Sequence, residues 1–453
     1  MYYKRHWMHN ISIFGTSSDA GKSTITFVIA KILQDLGHSV APFKAQNVSN
    51  NAKVADDSSE IAVAQHFQAE VLGVTTSYHN NPILLKSGRK NSASLIVNGK
   101  VVENKDVREY YRDLDGLKPA VKSAFKYLDE KYDCVVAEGA GSPVELNLMD
   151  KDLSNIYVAT EFNTKIILVA DIEKGGVFAS IYGIYNLLPK TLQENVIGVI
   201  INKFRGDLSL FDEGINIIEK KFCIPVLGVL PYESFNLGFE DSQSLMNYQQ
   251  NKPHTIKHIA VIAYPTMSNY NDLEPLIAHE DILIDFIKSN TDLEKYDQVI
   301  LPGSKLVMQD LQWLKEIGLF KQLQQTKTNI LGICGGFEMM FEELRDDEAV
   351  ESIGTKRVTG LGFVDDIILF KKEKIVKRGE YEIFGKKHKG FEIHHGISKK
   401  YPLFYERGHI RGTFVHGLFD DEHFEAHKRK SIDNFVNTMK ARLDVKRIVE
   451  SVL

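Results

Sequence analysis

"ISIFGTSSDAGKST", residues 11–24, sets a short apolar run against a glycine-bounded polar loop and then opens into a helical pattern. The run ISIFG (11–15) reads as a strand. Behind the loop, Ile25, Val28, Ile29, Ile32, Leu33 and Leu36 recur at i, i+3, i+4, i+7, i+8 and i+11, a single stripe along a helix. Strand, glycine turn and helix in that order make a phosphate cradle, because the loop N–H groups and the positive helix end both face an anion. Lys22 is placed to reach the terminal phosphates of ATP and Ser23 to ligate Mg2+. Thr16, Asp19, Gly21 and Thr24 complete the expected ATP-binding loop. Five residues separate Gly15 from Gly21, one more than the strict motif, and Thr16 stands at the usual first-glycine position.

Outward from this loop the pattern repeats. HSVAPFK (38–44), DCVVAEG (133–139), KIILVAD (165–171), VIGVIINK (196–203) and PVLGVLP (225–231) are short, mostly continuous apolar runs. Such runs suit strands covered on both faces, and their alternation with helical stretches predicts a parallel, right-handed α/β sheet. The stretch EDSQSLMNYQQNKPHTIK (240–257) is polar and aperiodic, and marks a linker at 241–256. HIAVIAYP (258–265), YDQVILPGS (296–304) and TNILGICGG (328–336) begin a second α/β unit. The expected organisation is a P-loop domain over 8–240, the linker, and a second, flavodoxin-like α/β domain over 257–453.

A metal at the phosphates needs a carboxylate. Glu138 ends a predicted strand just before the glycines of EGAGSP, where an open α/β sheet places ligand residues. Asp56, Asp57 and Glu60 are weaker metal candidates, since a charge cluster in a loop is usually solvated. The chain has 453 residues and a formal net charge of -5. That balance argues against nucleic acid as the main partner. No run approaches the ~18 apolar residues of a membrane span. The three cysteines have no paired spacing, which fits a reducing, cytoplasmic setting. Cys134 and Cys223 lie among apolar neighbours and read as core residues.

Cys334 differs from both. In LGICGGFEMM (331–340) it sits at a strand-to-helix turn followed by Gly335 and Gly336. A thiol there points outward, the helix end favours the thiolate, and the Gly335 N–H can face an oxyanion. The turn resembles a nucleophile elbow. His416, in GTFVHGLF, is the expected base, with His394 and His395 of GFEIHHG as rivals.

GTSSDAGKST, APFKAQNVSNNA, NPILLK, EGAGSPVELNL, ADIEKGGVFAS and INKFRGD together resemble the synthetase domain of the cobyric acid synthase family. That domain is similar to dethiobiotin synthetase, whose phosphate loop has the same five-residue spacing. The second half resembles the class I glutamine amidotransferase domains of the cobalamin type. The resemblance implies Cys334 as nucleophile, His416 as base and Gly303 of LPGS as a second oxyanion-hole contributor. Leu418 stands where many class I domains carry a glutamate, so the group that orients His416 is open.

By the same resemblance, glutamine supplies ammonia. ATP·Mg2+ activates the b, d, e and g carboxylates of adenosylcobyrinic acid a,c-diamide. Lys44, Lys86, Lys203 and Arg205 are candidates to hold that polyanionic corrinoid; ordinary surface charge is their other reading. Two alternatives remain at this level. One is a cobyrinic acid a,c-diamide synthase. The other is a partitioning-type switch ATPase with a non-catalytic second domain. Nothing in the sequence sets the oligomeric state.

Overall fold

The computed structural model describes residues 8–87, 92–106, 114–233, 252, 256–351 and 356–453. Except for 252 and 256, the expected linker at 241–256 lies outside these residues. Contacts divide the described residues into two units. The first takes 8–49, 55–233 and 429–453, and the second takes 50–54, 252 and 256–428.

The first unit is built on a six-stranded sheet in the order Val226–Pro231, Val196–Phe204, Lys165–Asp171, Ile11–Gly15, Cys134–Glu138, Val40–Phe43. Every neighbouring pair is parallel. Ile11–Gly15 and Cys134–Glu138 are buried along their whole length, which is why they read as unbroken apolar runs. The Lys22–Asp35 helix buries Ile25, Val28, Ile29, Ile32 and Leu33 as the stripe predicts. Leu36, the last member of the stripe, is instead 47% exposed, because the helix stops at Asp35 ahead of a left-handed Gly37. Gly15 and Glu138 end adjacent strands on the carboxyl edge of the sheet, where such folds bind ligands.

A smaller sheet (Gln46–Val48, Ile83–Ser87, Ser92–Val97, Lys100–Asp106) has no counterpart in the sequence reading. Its clearest signal is the Asn98-Gly99 pair between two strands. Both residues have positive φ (50° and 74°), as a tight hairpin turn demands.

The second unit has a six-stranded sheet in the order Ile282–Ile287, Lys257–Ile262, Gln298–Leu301, Asn329–Ile333, Ile410–Thr413, Phe404–Arg407. All its pairs are parallel except the last, a hairpin. A mixed five-stranded sheet carries the long hairpin Val364–Ile383 and Lys386–Ile397, and ends on the two-residue strand Val415–His416.

Two expectations change. Cys223 is exposed rather than buried; it follows the Ile218–Phe222 turn with φ 58°. Residues 429–453, assigned from sequence to the second domain, pack within the first unit. The Asp444 N–H donates to the Leu227 carbonyl (2.7 Å) and the His9 N–H to that of Val452 (2.6 Å). The Val445–Val452 helix buries Ile448 and Val452. Ile448→Ala should therefore destabilise the first unit by about 2–5 kcal/mol. The exposed control Lys446→Ala should stay within about 0.5 kcal/mol of the parent. Urea unfolding of the full chain reads both. Equal, negligible effects would contradict the packing.

Candidate active sites

In the first unit, Lys22 folds back over its loop. Its Nζ donates to the carbonyls of Ser17 (2.9 Å) and Ser18 (3.0 Å). Gly21 opens the helix with φ 94°, and a Cβ there would come within 2.3 Å of Asn202 Nδ2, so the position takes only glycine. Asn202, unremarked in the sequence, braces the loop by donating to the Ala20 carbonyl (2.9 Å). Thr16 donates its N–H to Val169 (2.9 Å), and Thr24 is half-buried at the helix start. Asp19 is exposed and meets Lys174 at 3.1 Å.

Glu138 is 1% exposed and surrounded by donors. Ser23 Oγ and Lys44 Nζ both donate to its Oε1 at 2.7 Å. Gln65 and Gln68 approach Oε2 at 3.4 Å. A buried carboxylate needs such partners, since an unpaired one costs several kcal/mol. The Ser23 hydroxyl and the Glu138 carboxylate are hard oxygen donors beside the phosphate loop. Mg2+ uses few protein ligands and takes the rest from phosphates and water, so the pair fits it. Among the described residues no group of three His, Cys, Asp or Glu is placed to hold a metal. Asp56 accepts from the Thr76 N–H (3.0 Å), Asp57 accepts from Ser59, and Glu60 pairs with Lys86 (2.6 Å).

The four candidate corrin cations separate. Lys44 and Lys86 are each 5% exposed and paired with Glu138 and Glu60, so they are not ordinary surface charge. Lys203 donates to the Asp19 carbonyl (2.6 Å) and Asp171 (3.0 Å), clipping the phosphate loop to a strand end. Arg205 pairs with Glu173 (2.7 Å) and stacks on Tyr232, 3.6 Å from the ring centroid.

In the second unit, Cys334 caps the Gly335–Glu338 turn at φ 52°, ψ -112°. Only a few per cent of non-glycine residues have positive φ, and nucleophile turns are where such strain gathers. The glycines behind it now have a reason. A Cβ on Gly336 would lie 2.0 Å from the Leu301 carbonyl, and one on Gly335 would lie 2.7 Å from Ser304 N. The close approach brings the Gly303-Ser304 backbone beside the cysteine turn. Asp310 fixes that backbone by accepting from Ser304 Oγ and Thr266 Oγ1, each at 2.6 Å.

His416 is fully buried and lies within hydrogen-bonding reach of the Cys334 thiol. Its Nδ1 meets Asp272 Oδ2 at 2.6 Å, and the other Asp272 oxygen accepts the Gly417 N–H (3.0 Å). Its Nε2 lies 3.3 Å from Asn269 Nδ2. Phe391 stacks on the ring, with centroids 4.9 Å apart. Burial pulls the imidazole down, but the charges of Asp272 and then Cys334 outweigh it and hold it up at about 10.

The rival histidines are engaged elsewhere. His394 bonds the Gly396 carbonyl (2.7 Å) and His395 that of Lys371 (2.8 Å). Their strand still builds the site, through Phe391 and through the Ile393 carbonyl, 3.8 Å from Cys334 Sγ. Burial, then Cys334 and Glu351, hold the Glu338 carboxyl well above its usual range, and its Oε1 accepts the Gly396 N–H (3.1 Å).

Asp272 fills the role left open at Leu418. No motif announces it. It lies in SNYNDLEPL, 144 residues before the histidine it orients. The only available cue is an acid in a turn-forming stretch soon after the strand that opens the unit.

A phosphate-loop unit joined to a cysteine–histidine–aspartate unit defines the class: a nucleotide-dependent glutamine amidotransferase. Residues 11–240 match the "CobQ/CobB/MinD/ParA nucleotide binding domain", and residues 258–424 match the "CobB/CobQ-like glutamine amidotransferase domain". The chain is similar to the cobyric acid synthase of Acinetobacter baylyi, at 62% identity over 98% of this chain and 99% of that one. It is also similar to a cobyric acid synthase of Clostridium botulinum, at 36% identity over 97% of this chain and 99% of that one. The chain belongs to the cobyric acid synthase family.

Because the folded-state value of His416 lies above its ordinary 6.5, the Asp272 interaction adds stability that is full below about pH 6.5 and is lost as pH rises through about 10. In Asp272→Asn, burial acts without its main counterweight. The alkaline limb of the glutamine-hydrolysis profile should move to lower pH, and the rate at the optimum should fall by at least roughly tenfold. An unmoved limb with an unchanged rate would show that Asp272 does not tune His416.

Proposed function

We propose that this enzyme makes cobyric acid from adenosylcobyrinic acid a,c-diamide, amidating the b, d, e and g carboxylates with nitrogen from glutamine at the expense of ATP. The observation that carries the reading is the Cys334 thiol on its strained turn, within hydrogen-bonding reach of a histidine that Asp272 holds.

In the second unit, Cys334 attacks the side-chain carbonyl carbon of glutamine. The C–N bond breaks as His416 delivers a proton to the leaving nitrogen, and ammonia departs. The N–H groups near Gly335 and Gly303 face the oxyanion, and each such donor is typically worth about 2.7–4 kcal/mol in the transition state. Water then hydrolyses the glutamyl thioester to glutamate and free thiol.

In the first unit, a corrin carboxylate oxygen attacks the γ-phosphorus of ATP and ADP leaves. Ammonia attacks the acyl carbon, phosphate leaves, and an amide remains. Lys22 swings from the Ser17 and Ser18 carbonyls to the phosphates. Lys44, held 2.7 Å from Glu138, is placed to offset charge on the phosphoryl group or the acceptor carboxylate. Ser23 and Glu138 would hold Mg2+, which supplies charge neutralisation at the phosphates when bound. A cleft lined by Val48 and, from the segment after Glu138, by Pro143, Leu148 and Met149 suits the apolar body of the acceptor. A reducing, cytoplasmic setting fits three cysteines that are all free. The switch-ATPase reading leaves the Cys334–His416–Asp272 arrangement without a purpose.

Cys334→Ser should cut glutamine-driven amidation by on the order of 10^3-fold or more while ammonium-driven amidation survives. Lys22→Ala should abolish amidation from either donor. Amide formation without ATP, or loss of both routes in a folded Cys334→Ser protein, would overturn the assignment.

A further inference from the structure

Residues 50–54 form a short stretch of the N-terminal half of the chain that belongs by its contacts to the second unit. Asn51, 5% exposed, makes two side-chain hydrogen bonds there. Its Oδ1 accepts the Asn269 N–H (2.9 Å), and its Nδ2 donates to the Tyr270 hydroxyl (2.6 Å). Asn269 is itself in the left-handed region at φ 53°, and it opens the Tyr270–Leu273 turn. That turn and the residue that opens it supply two polar partners of the catalytic imidazole: Asn269 at Nε2 and Asp272 at Nδ1. At the other end of the stretch, the Val54 carbonyl accepts from Arg378 (3.2 Å). Arg378 sits opposite Phe391 in the long hairpin, and Phe391 stacks on His416. Both ends of the stretch therefore lead to one ring.

The residues just before it belong to the phosphate site. Lys44 holds Glu138, Gln46–Val48 pairs with Ile83–Ser87, and the Ser49 N–H donates to the Leu85 carbonyl (3.0 Å). A strand anchored at the phosphotransfer centre thus runs directly into the stretch that braces the glutaminase turn.

We propose that Asn51 is a positioning residue of the glutaminase site and that residues 50–54 make glutamine cleavage respond to ATP and acceptor at the phosphate site. This rests on the function proposed above. When Lys44 exchanges Glu138 for an incoming anion, the strand end shifts, and Asn51 carries the shift to the turn that aims His416. Without Asn51, the Asn269 N–H, buried at a strained residue, loses its partner.

The test measures glutamate release by the full-length enzyme with and without ATP plus corrinoid acceptor, beside ammonium-driven amidation. In Asn51→Ala, stimulated glutamine hydrolysis should fall roughly 10- to 100-fold. The ratio of stimulated to unstimulated hydrolysis should drop toward one, with the ammonium-driven rate kept. Asn51→Asp retains the acceptor for the Asn269 N–H and can accept from the Tyr270 hydroxyl, so it should restore much of the ratio. A rate and ratio within twofold of the parent in Asn51→Ala would overturn the proposal. So would a lower rate with an unchanged ratio, or parallel loss of the glutamine and ammonium routes. Failure of the parent enzyme to amidate the corrinoid from ammonium would instead sink the proposed function, because glutamate release reads Asn51 independently of that step.

Discussion

The 2.6 Å contact between Asp272 and His416 is the interaction on which the chemistry proposed for the second unit depends. An imidazole with no exposed surface takes up a second proton only at high cost unless an opposite charge is buried beside it. Asp272 provides that charge and fixes which ring nitrogen faces it, which leaves the other nitrogen for the thiol. The remaining features follow from this need. Phe391 closes one face of the ring, Asp310 holds the Gly303-Ser304 backbone, and the glycines after Cys334 let the strained turn press against that backbone. Glu338, four residues past Cys334, is held well above the usual carboxyl range by burial and then by Cys334 and Glu351.

The first unit solves the same problem with a different set of groups. Glu138 is as buried as His416 and is hydrogen-bonded by Lys44 and Ser23, with Gln65 and Gln68 behind. The four partners come from three places in the chain, with Gln65 and Gln68 on one helix. The carboxylate therefore ties together the phosphate-loop helix, the end of the second strand and the 63–71 helix. Such a knot is preorganised for phosphoryl transfer, in which the protein's work is mostly placing charge.

Much of this was legible in the sequence because parallel sheets bury both faces. Ile11–Gly15, Cys134–Glu138 and Asn329–Ile333 announce themselves as apolar runs ending at glycine or at a functional residue. The phosphate loop, Cys334 and His416 carry local signals of the same kind. Asn269 and Asn51 carry none, and Asp272 only its place in a turn-forming stretch, because their role comes from contacts between residues far apart in the chain. A polar residue in a turn looks the same whether it caps a helix or aims a histidine. The return of residues 429–453 to the first unit was hidden for a related reason: helical periodicity reports that a stripe will be buried, not against what. Cys223 shows the converse error, since apolar neighbours in sequence did not place it in a core.

The most direct test of the account is to quench the enzyme during glutamine turnover, with ATP and acceptor present, and map the covalent glutamyl adduct by mass spectrometry. The account predicts a thioester on Cys334 alone, with Cys134 and Cys223 unmodified. An adduct on another residue, or steady glutamate production in a Cys334→Ser protein, would contradict it.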